Sequence, residues 1–304
     1  MKLLTFLLRH LVMLAISLHA LVAAGEDSPT LDELRAAAAK GDPEAHYSIG
    51  KAYYQGAGLP KDYQKAAESF REAARLGNAK AHTDLGAMYS NGIGVPKDEA
   101  EAVRWFRKAA DLGDRVAQYN LAWCLAKGKG VAPDLDEARR WYTAAAEAGQ
   151  VDAQLALGFM YNLGREGVER DYALAAKWFR LAAQQGSATA QNGLGVLYED
   201  GFGVKKDIVE AVRLYRIAAE QGEPRAQANL ARMYETGTGL PKDISKAILW
   251  YTLSADQGEV MGRKGIEGLV GSRQITPERM AEGKRMAGEY RAVHQPAKRT
   301  VEPR

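Results

Sequence analysis

Glycine recurs at Gly41, Gly77, Gly113, Gly149, Gly186, Gly222 and Gly258, a spacing of 36 residues five times and 37 once. A period of this length restricts the chain to an array of stacked supersecondary units, because a unit so short cannot bury its apolar face alone. Within each unit the same residue types return at the same offsets. The first half carries Ala45, Ala81, Ala117, Ala153, Ala190 and Ala226, followed four residues on by Ile49, Leu85, Leu121, Leu157, Leu194 and Leu230. A small residue comes next (Gly50, Gly86, Ala122, Gly158, Gly195, Ala231), then an aromatic at Tyr53, Tyr89, Tyr161, Tyr198 and Tyr234, with Leu125 in the third unit. Spacings of four, five and eight place all of these on one face of a helix. The small position predicts close approach of a second backbone, a gain that outweighs the roughly 1 kcal/mol helix-propensity cost of glycine.

A turn of the form Gly-x-Gly closes this helix at Gly56, Gly92, Gly201 and Gly237, the first glycine suiting a left-handed cap. Asp62, Asp98, Asp134, Asp171, Asp207 and Asp243 stand where a second helix needs its N-cap. That helix repeats Ala66, Ala102, Ala138, Ala175, Ala211 and Ala247 and carries aromatic pairs such as Trp105-Phe106, Trp141-Tyr142, Trp178-Phe179 and Trp250-Tyr251. The pattern predicts an all-α solenoid of six helix pairs, at 41–76, 77–112, 113–148, 149–185, 186–221 and 222–257. Residues 25–40 read as an N-terminal capping helix, centred on Thr30 to Lys40. Residues 258–294 read as a closing hairpin whose second helix starts at Thr276-Pro277, and 295–304 as a disordered tail.

This series of Ala, Leu-Gly, Tyr, Gly-x-Gly, Asp, Ala and aromatic pair resembles the Sel1-like repeat family, a relative of tetratricopeptide repeats. The resemblance covers Gly41 to about Gln257 and holds at about ten offsets per copy. It implies a right-handed superhelix of antiparallel helix pairs acting as an adaptor or scaffold. The fourth unit departs from its siblings by a turn one residue longer, Gly164 to Gly167, and the third by its displaced Pro133.

The front of the chain predicts export. Lys2 and Arg9 precede an apolar run, Leu11 to Ala24, that ends on Val22-Ala23-Ala24, the small-residue pattern of a cleavage site. The run is short for a span, which needs about 20 residues, so residues 1–24 read as a signal peptide cleaved after Ala24, with an uncleaved anchor as the alternative. The expected location is the periplasm or outside the cell, with no stable membrane span once the signal is removed. Removing Lys2 and Arg9 takes 41 bases to 39 against 38 acids, a net charge near +1 that provides no general attraction to nucleic acid or anionic membrane. The single cysteine, Cys124, forgoes disulfides and reads as a small buried hydrophobe.

Chemistry is sparse. His46 and His82 occupy an offset filled by Gln118, Gln154, Gln191 and Gln227 elsewhere, which marks a polar packing position and not a ligand. No spacing matches a metal site, and no cofactor is expected. Some cysteine-rich Sel1-like proteins bind or hydrolyse β-lactams, and Ser48-Ile49-Gly50-Lys51 formally fits the Ser-x-x-Lys of penicillin-recognising enzymes. It has no Ser-Asp-Asn or Lys-Thr-Gly partner here, so an envelope enzyme acting on peptidoglycan or β-lactams is the lesser reading.

What varies from unit to unit is the other face of the first helix. By analogy with tetratricopeptide repeats this face lines the concave groove, at offsets three, six, seven, ten, thirteen and fourteen after each leading glycine. Unit two offers Lys80, Thr83, Ala87, Ser90 and Asn91 there, a set with no evident anchor. Units three and four instead offer Val116, Tyr119, Trp123, Leu155, Phe159 and Leu163, and unit one adds Tyr47 and Tyr54. Offset ten runs Lys51, Ala87, Trp123, Phe159, Val196, Arg232, so it becomes aromatic only in the middle. A solvent-facing patch of this kind marks a binding site, whereas rings folded between helices would be extra core. The expected activity is therefore that of a monomeric exported adaptor holding a protein partner on Tyr47, Tyr54, Tyr119, Trp123, Leu155, Phe159 and Leu163. It could serve as a signalling regulator, an envelope scaffold or a host-binding factor.

Overall fold

The computed structural model describes residues 29–165, 167–272 and 275–294. The signal peptide and the tail expected from the sequence lie outside them. Among the described residues there are fifteen helices and no strand, and within each unit helix pairs pack against one another in the manner of an α-solenoid. A capping helix, α1 (Leu31–Ala38), precedes the pairs α2 (Pro43–Gln55) with α3 (Tyr63–Arg75), α4 (Ala79–Asn91) with α5 (Glu99–Asp111), and α6 (Arg115–Lys127) with α7 (Leu135–Glu147). The pairs α8 (Val151–Leu163) with α9 (Tyr172–Gln184), α10 (Ala188–Asp200) with α11 (Ile208–Glu220), and α12 (Pro224–Thr236) with α13 (Ile244–Asp256) follow, then α14 (Val260–Gly271) and α15 (Pro277–His294). The chain divides into two compact units within α6, after Ala117. The terminal α14 and α15 each lie on α13.

Each boundary has a chemical cause. Every predicted aspartate caps its second helix: Asp98 Oδ1, for example, accepts from the Glu101 amide at 2.9 Å and Asp207 Oδ1 from Glu210 at 3.0 Å, each bond contributing about 1 kcal/mol. Thr30 and Glu33 form a reciprocal capping box at the start of α1. The first helices end on glycines with φ between +62° and +78°, at Gly56, Gly92, Gly164, Gly201 and Gly237.

The small residue on the first helix meets a ring, not the second backbone expected for it. A Cβ on Gly50, Gly86 or Gly158 would stand 2.6, 2.6 or 2.5 Å from Phe70, Phe106 or Phe179. Each ring is buried and turns its Cδ1–Cε1 edge to the space where a side chain would stand. Close backbone approach occurs instead at the second glycine of the turn. A Cβ on Gly94 would be 2.3 Å from the Tyr63 carbonyl oxygen, and one on Gly203 2.2 Å from the Tyr172 carbonyl carbon, both in the preceding repeat. Gly58, in the first repeat, has nothing within 4 Å.

The shared His/Gln offset acquires a role. Gln154 and Gln227 donate through Nε2 to the carbonyls of Ala146 and Ala219, eight residues back in the preceding helix, at 3.0 and 3.2 Å. His46 Nε2 makes the equivalent contact to the Ala38 carbonyl at 3.1 Å. A second glutamine continues each link, Gln185 to Gln154 and Gln257 to Gln227, both at 2.9 Å. His82 differs: its Nδ1 turns to the Asn78 carbonyl and its ring lies 5.5 Å from Trp105.

Candidate functional site

The variable face of the first helices is exposed in part (Trp123, Leu163) and buried in part (Thr83, Asn192, Asn229), and in the second unit it carries a cleft. Tyr119 and Trp123 on α6, with Phe159 and Leu163 on α8, line about 220 Å³ together with Lys127 and Arg165 at its end. Trp123 is 40% exposed and Leu163 39%, so both present apolar surface to a ligand. Phe159 is half-buried, its ring edge-on to the core residue Phe179 at 5.1 Å. Tyr119 leans on Tyr142 at 5.8 Å, and burial, with Asp152 nearby, pushes its phenol above the ordinary range.

Phe159 and Leu163 also border a larger cleft of about 450 Å³ that continues toward α10 and α12. Its far wall is polar. Asn229 donates to Asn192 at 2.9 Å, and Arg232 and the Tyr215 hydroxyl both donate to Glu199, at 2.7 and 2.8 Å. Burial pushes the Glu199 carboxyl up, but the hydrogen bonds from Arg232 and Tyr215 outweigh it and hold the group below its usual range. An apolar ridge, Phe159 with Leu163, therefore separates an aromatic cup from a polar trough.

The sequence-predicted residues separate into three groups. Tyr119, Trp123, Phe159 and Leu163 come together. Leu155 lines neither cleft and packs with Val151 and Phe159 against the buried cluster around Phe179. Tyr47 and Tyr54 line a separate cleft in the first unit. Sequence reasoning passed over Asp84, Asn192, Glu199 and Asn229, although each occupies one of the offsets assigned to this face; the search there was for apolar anchors alone.

No arrangement suited to bond-making emerges among the described residues. Ser48 is half-buried and makes no hydrogen bond to Lys51, whose ammonium lies over the Tyr47 ring, 5.7 Å from its centroid. No group of three or more His, Cys, Asp or Glu side chains there could hold a metal, and no helix there is long and apolar enough to cross a membrane. Cys124 is buried.

Comparison with known proteins agrees with this geometry. The profile described as Sel1 repeat matches residues 43–78, 79–114, 115–150, 151–187, 188–223 and 224–259. Among solved structures the chain is similar to a protective antigen present in uropathogenic Escherichia coli strains displaying an SLR fold. The TM-score is 0.76 at 34% identity, covering 86% of this chain and 56% of the antigen, so the chain spans little more than half the antigen's length. It is also similar to a Sel1 repeat protein from Oxalobacter formigenes, with a TM-score of 0.69 at 33% identity, covering 80% of this chain and 96% of that one. No curated protein matches.

Proposed function

For a chain that belongs to the Sel1 repeat family, we propose an exported adaptor that holds a protein partner on the first-helix face of its second unit, with Trp123 as the anchor. Sel1 repeats generally mediate protein–protein interaction, and their solenoids are typically non-catalytic scaffolds. The observation that carries the reading is Trp123 itself: an indole at a variable offset, 40% exposed, at the edge of an apolar cleft. Nothing in the repeat requires it, since the same offset holds Lys51 and Ala87 in earlier copies. The partner segment that fits is extended, with an apolar side chain for the cup formed by Trp123, Tyr119 and Leu163, followed by polar backbone or side-chain groups for Asn229 and Arg232.

Burial decides which variant tests this. Phe159 supports the core through Phe179, so its removal would confuse stability with binding, whereas Trp123 can be cut without that cost. Trp123→Ala is expected to weaken partner binding about thirtyfold or more, as truncation of an aromatic anchor does, while stability falls by less than about 2 kcal/mol, since only part of the indole is buried. Affinity capture from an envelope extract with the wild-type and variant chains, followed by calorimetry on the captured protein, reads both quantities. A folded Trp123→Ala chain that captures the same protein with undiminished affinity would remove this surface from consideration.

Export is part of the same proposal and rests on the charged, apolar and small-residue stretches of residues 1–24. Expression of the full chain in a Gram-negative host, with fractionation and N-terminal sequencing, is expected to recover a periplasmic or released protein beginning at Gly25. Recovery of an intact N-terminus in the cytoplasmic fraction would rule it out.

A further inference from the structure

The first-helix face of the other unit carries a cleft of different chemistry. Helices α2 and α4 enclose about 260 Å³ between Tyr47, Lys51, Tyr54, Asp84 and Asn91, with Phe70 beneath. That is well beyond the roughly 30 Å³ share of a single liquid water. Asp84 is half-buried, lies beside the Tyr47 side chain in the cleft and forms no ion pair among the described residues. The nearest cation, Lys51, is exposed and directed over the Tyr47 ring. The other charges that bear on the cleft, Glu44 and Asp114, are both acidic. A carboxylate placed this way is partly desolvated, and Lys51 attracts it without pairing with it, an arrangement that costs stability.

The walls are held in place from behind. Tyr47 packs on Phe70 at 5.6 Å and Tyr54 on Tyr63 at 5.2 Å, so the two rings keep their positions with the cleft open. Burial and the neighbouring Asp84 carboxylate push the Tyr47 phenol upward, which keeps it protonated beside that carboxylate. The carboxylate has about four acceptor positions to offer a ligand. Two aromatic faces beside one partly desolvated carboxylate suit an organic cation. Among organic cations a planar guanidinium both stacks on a ring and forks onto a carboxylate, which an ammonium cannot do.

The geometry points to a binding site for a guanidinium group, of the kind borne by an arginine side chain or a small guanidino compound, between Tyr47 and Tyr54 with Asp84 as counter-ion. It concerns a different unit from the Trp123 surface and stands or falls without it.

Titration calorimetry on the full mature chain at neutral pH tests it with Nα-acetyl-arginine methylamide, its citrulline counterpart, agmatine and the peptide acetyl-Gly-Arg-Gly-amide. The arginine derivative is expected to bind, and the citrulline compound, identical in shape but uncharged, at least about tenfold more weakly, the guanidinium being the group recognised. Asp84→Asn is expected to lower affinity about thirtyfold or more, as loss of one partner of a buried charge pair does. Lys51→Ala is expected to strengthen binding by removing the competing cation. Agmatine binding as well as the peptide would identify a free guanidino compound as sufficient. Tighter peptide binding would identify a polypeptide side chain, and either result supports the site.

Unfolding does not mimic these results. Burial raises the Asp84 carboxyl, so the folded chain holds that proton more firmly than the unfolded one. The ionised group therefore opposes folding at pH values above its raised folded-state pKa. Asp84→Asn should accordingly keep or raise Tm at neutral pH. Equal binding of the arginine and citrulline compounds, undiminished binding by folded Asp84→Asn, or no binding of the arginine derivative at millimolar concentration would each overturn the proposal. Trp123→Ala should bind the arginine derivative as the wild type does, which separates this outcome from the fate of the adaptor surface.

Discussion

Gly94→Ala is expected to destabilise the first unit by about 2–5 kcal/mol, the sum of a left-handed backbone penalty of about 1–2 and an overlap penalty of about 1–3. The same change at Gly58 should cost only the former, about 1–2 kcal/mol. The two glycines occupy equivalent turns with nearly the same φ, +70° and +73°. They differ in what lies opposite, a carbonyl of the preceding repeat for Gly94 and open space for Gly58. Urea unfolding followed by far-UV circular dichroism compares them directly. Equal losses at the two positions would mean that the turns do not seat one repeat against the next. Gly203→Ala, facing the Tyr172 backbone, should behave like Gly94→Ala in the second unit.

The other large effect is expected at Phe179, which is 1% exposed and touches the first helices on both sides of its own. The Cδ1–Cε1 edge of its ring meets Gly158, the opposite edge lies near Gly193 on the following first helix, and Phe159 meets it edge-on. Phe179→Ala should cost about 3–5 kcal/mol and should also loosen Phe159, so that partner binding falls with it. A double-mutant cycle isolates the ring-on-glycine contact. In the wild type, Gly158→Ala forces the ring to shift and destabilises. With Phe179→Ala in place, the same substitution should be neutral or gain up to about 1 kcal/mol from helix propensity. A Gly158→Ala cost that stays the same in both backgrounds would show that the ring is not what requires a glycine.

These two cases also mark where the sequence was legible. The glycine period, the aspartate caps and the alanine rows set the element order and boundaries, because each reflects a requirement local to one unit. What the small offset packs against was misjudged, since its partner lies some 20 residues away and periodicity fixes no register between the two helices. The groove offsets differ in burial, Thr83, Asn192 and Asn229 being buried, and offset ten behaves differently in adjacent copies. Phe159 finds a core ring to lean on, while Trp123, at the same offset, stays 40% exposed. That distinction depends on neighbours and not on residue type. Asp84 escaped notice for a simpler reason: a single carboxylate in a polar unit looks like a solvated one until the two tyrosines are seen beside it.

The glutamine links between repeats have a bearing on where such a protein can work. Both ends of each link are uncharged amides, and the surfaces they join are alanine methyls and aromatic rings. Dissolved salt screens charges separated through solvent, so the exposed ion pairs of the second helices, Arg75 with Glu72 or Arg213 with Glu210, weaken in brine. The amide links hold no charge to screen. Even His46, the one titratable member, presents an N–H at Nε2 in its protonated form and in one neutral tautomer. The seating of one repeat on the next is thus insulated from the ionic composition of the medium, and the spacing of the first helices within each unit stays constant as that medium changes.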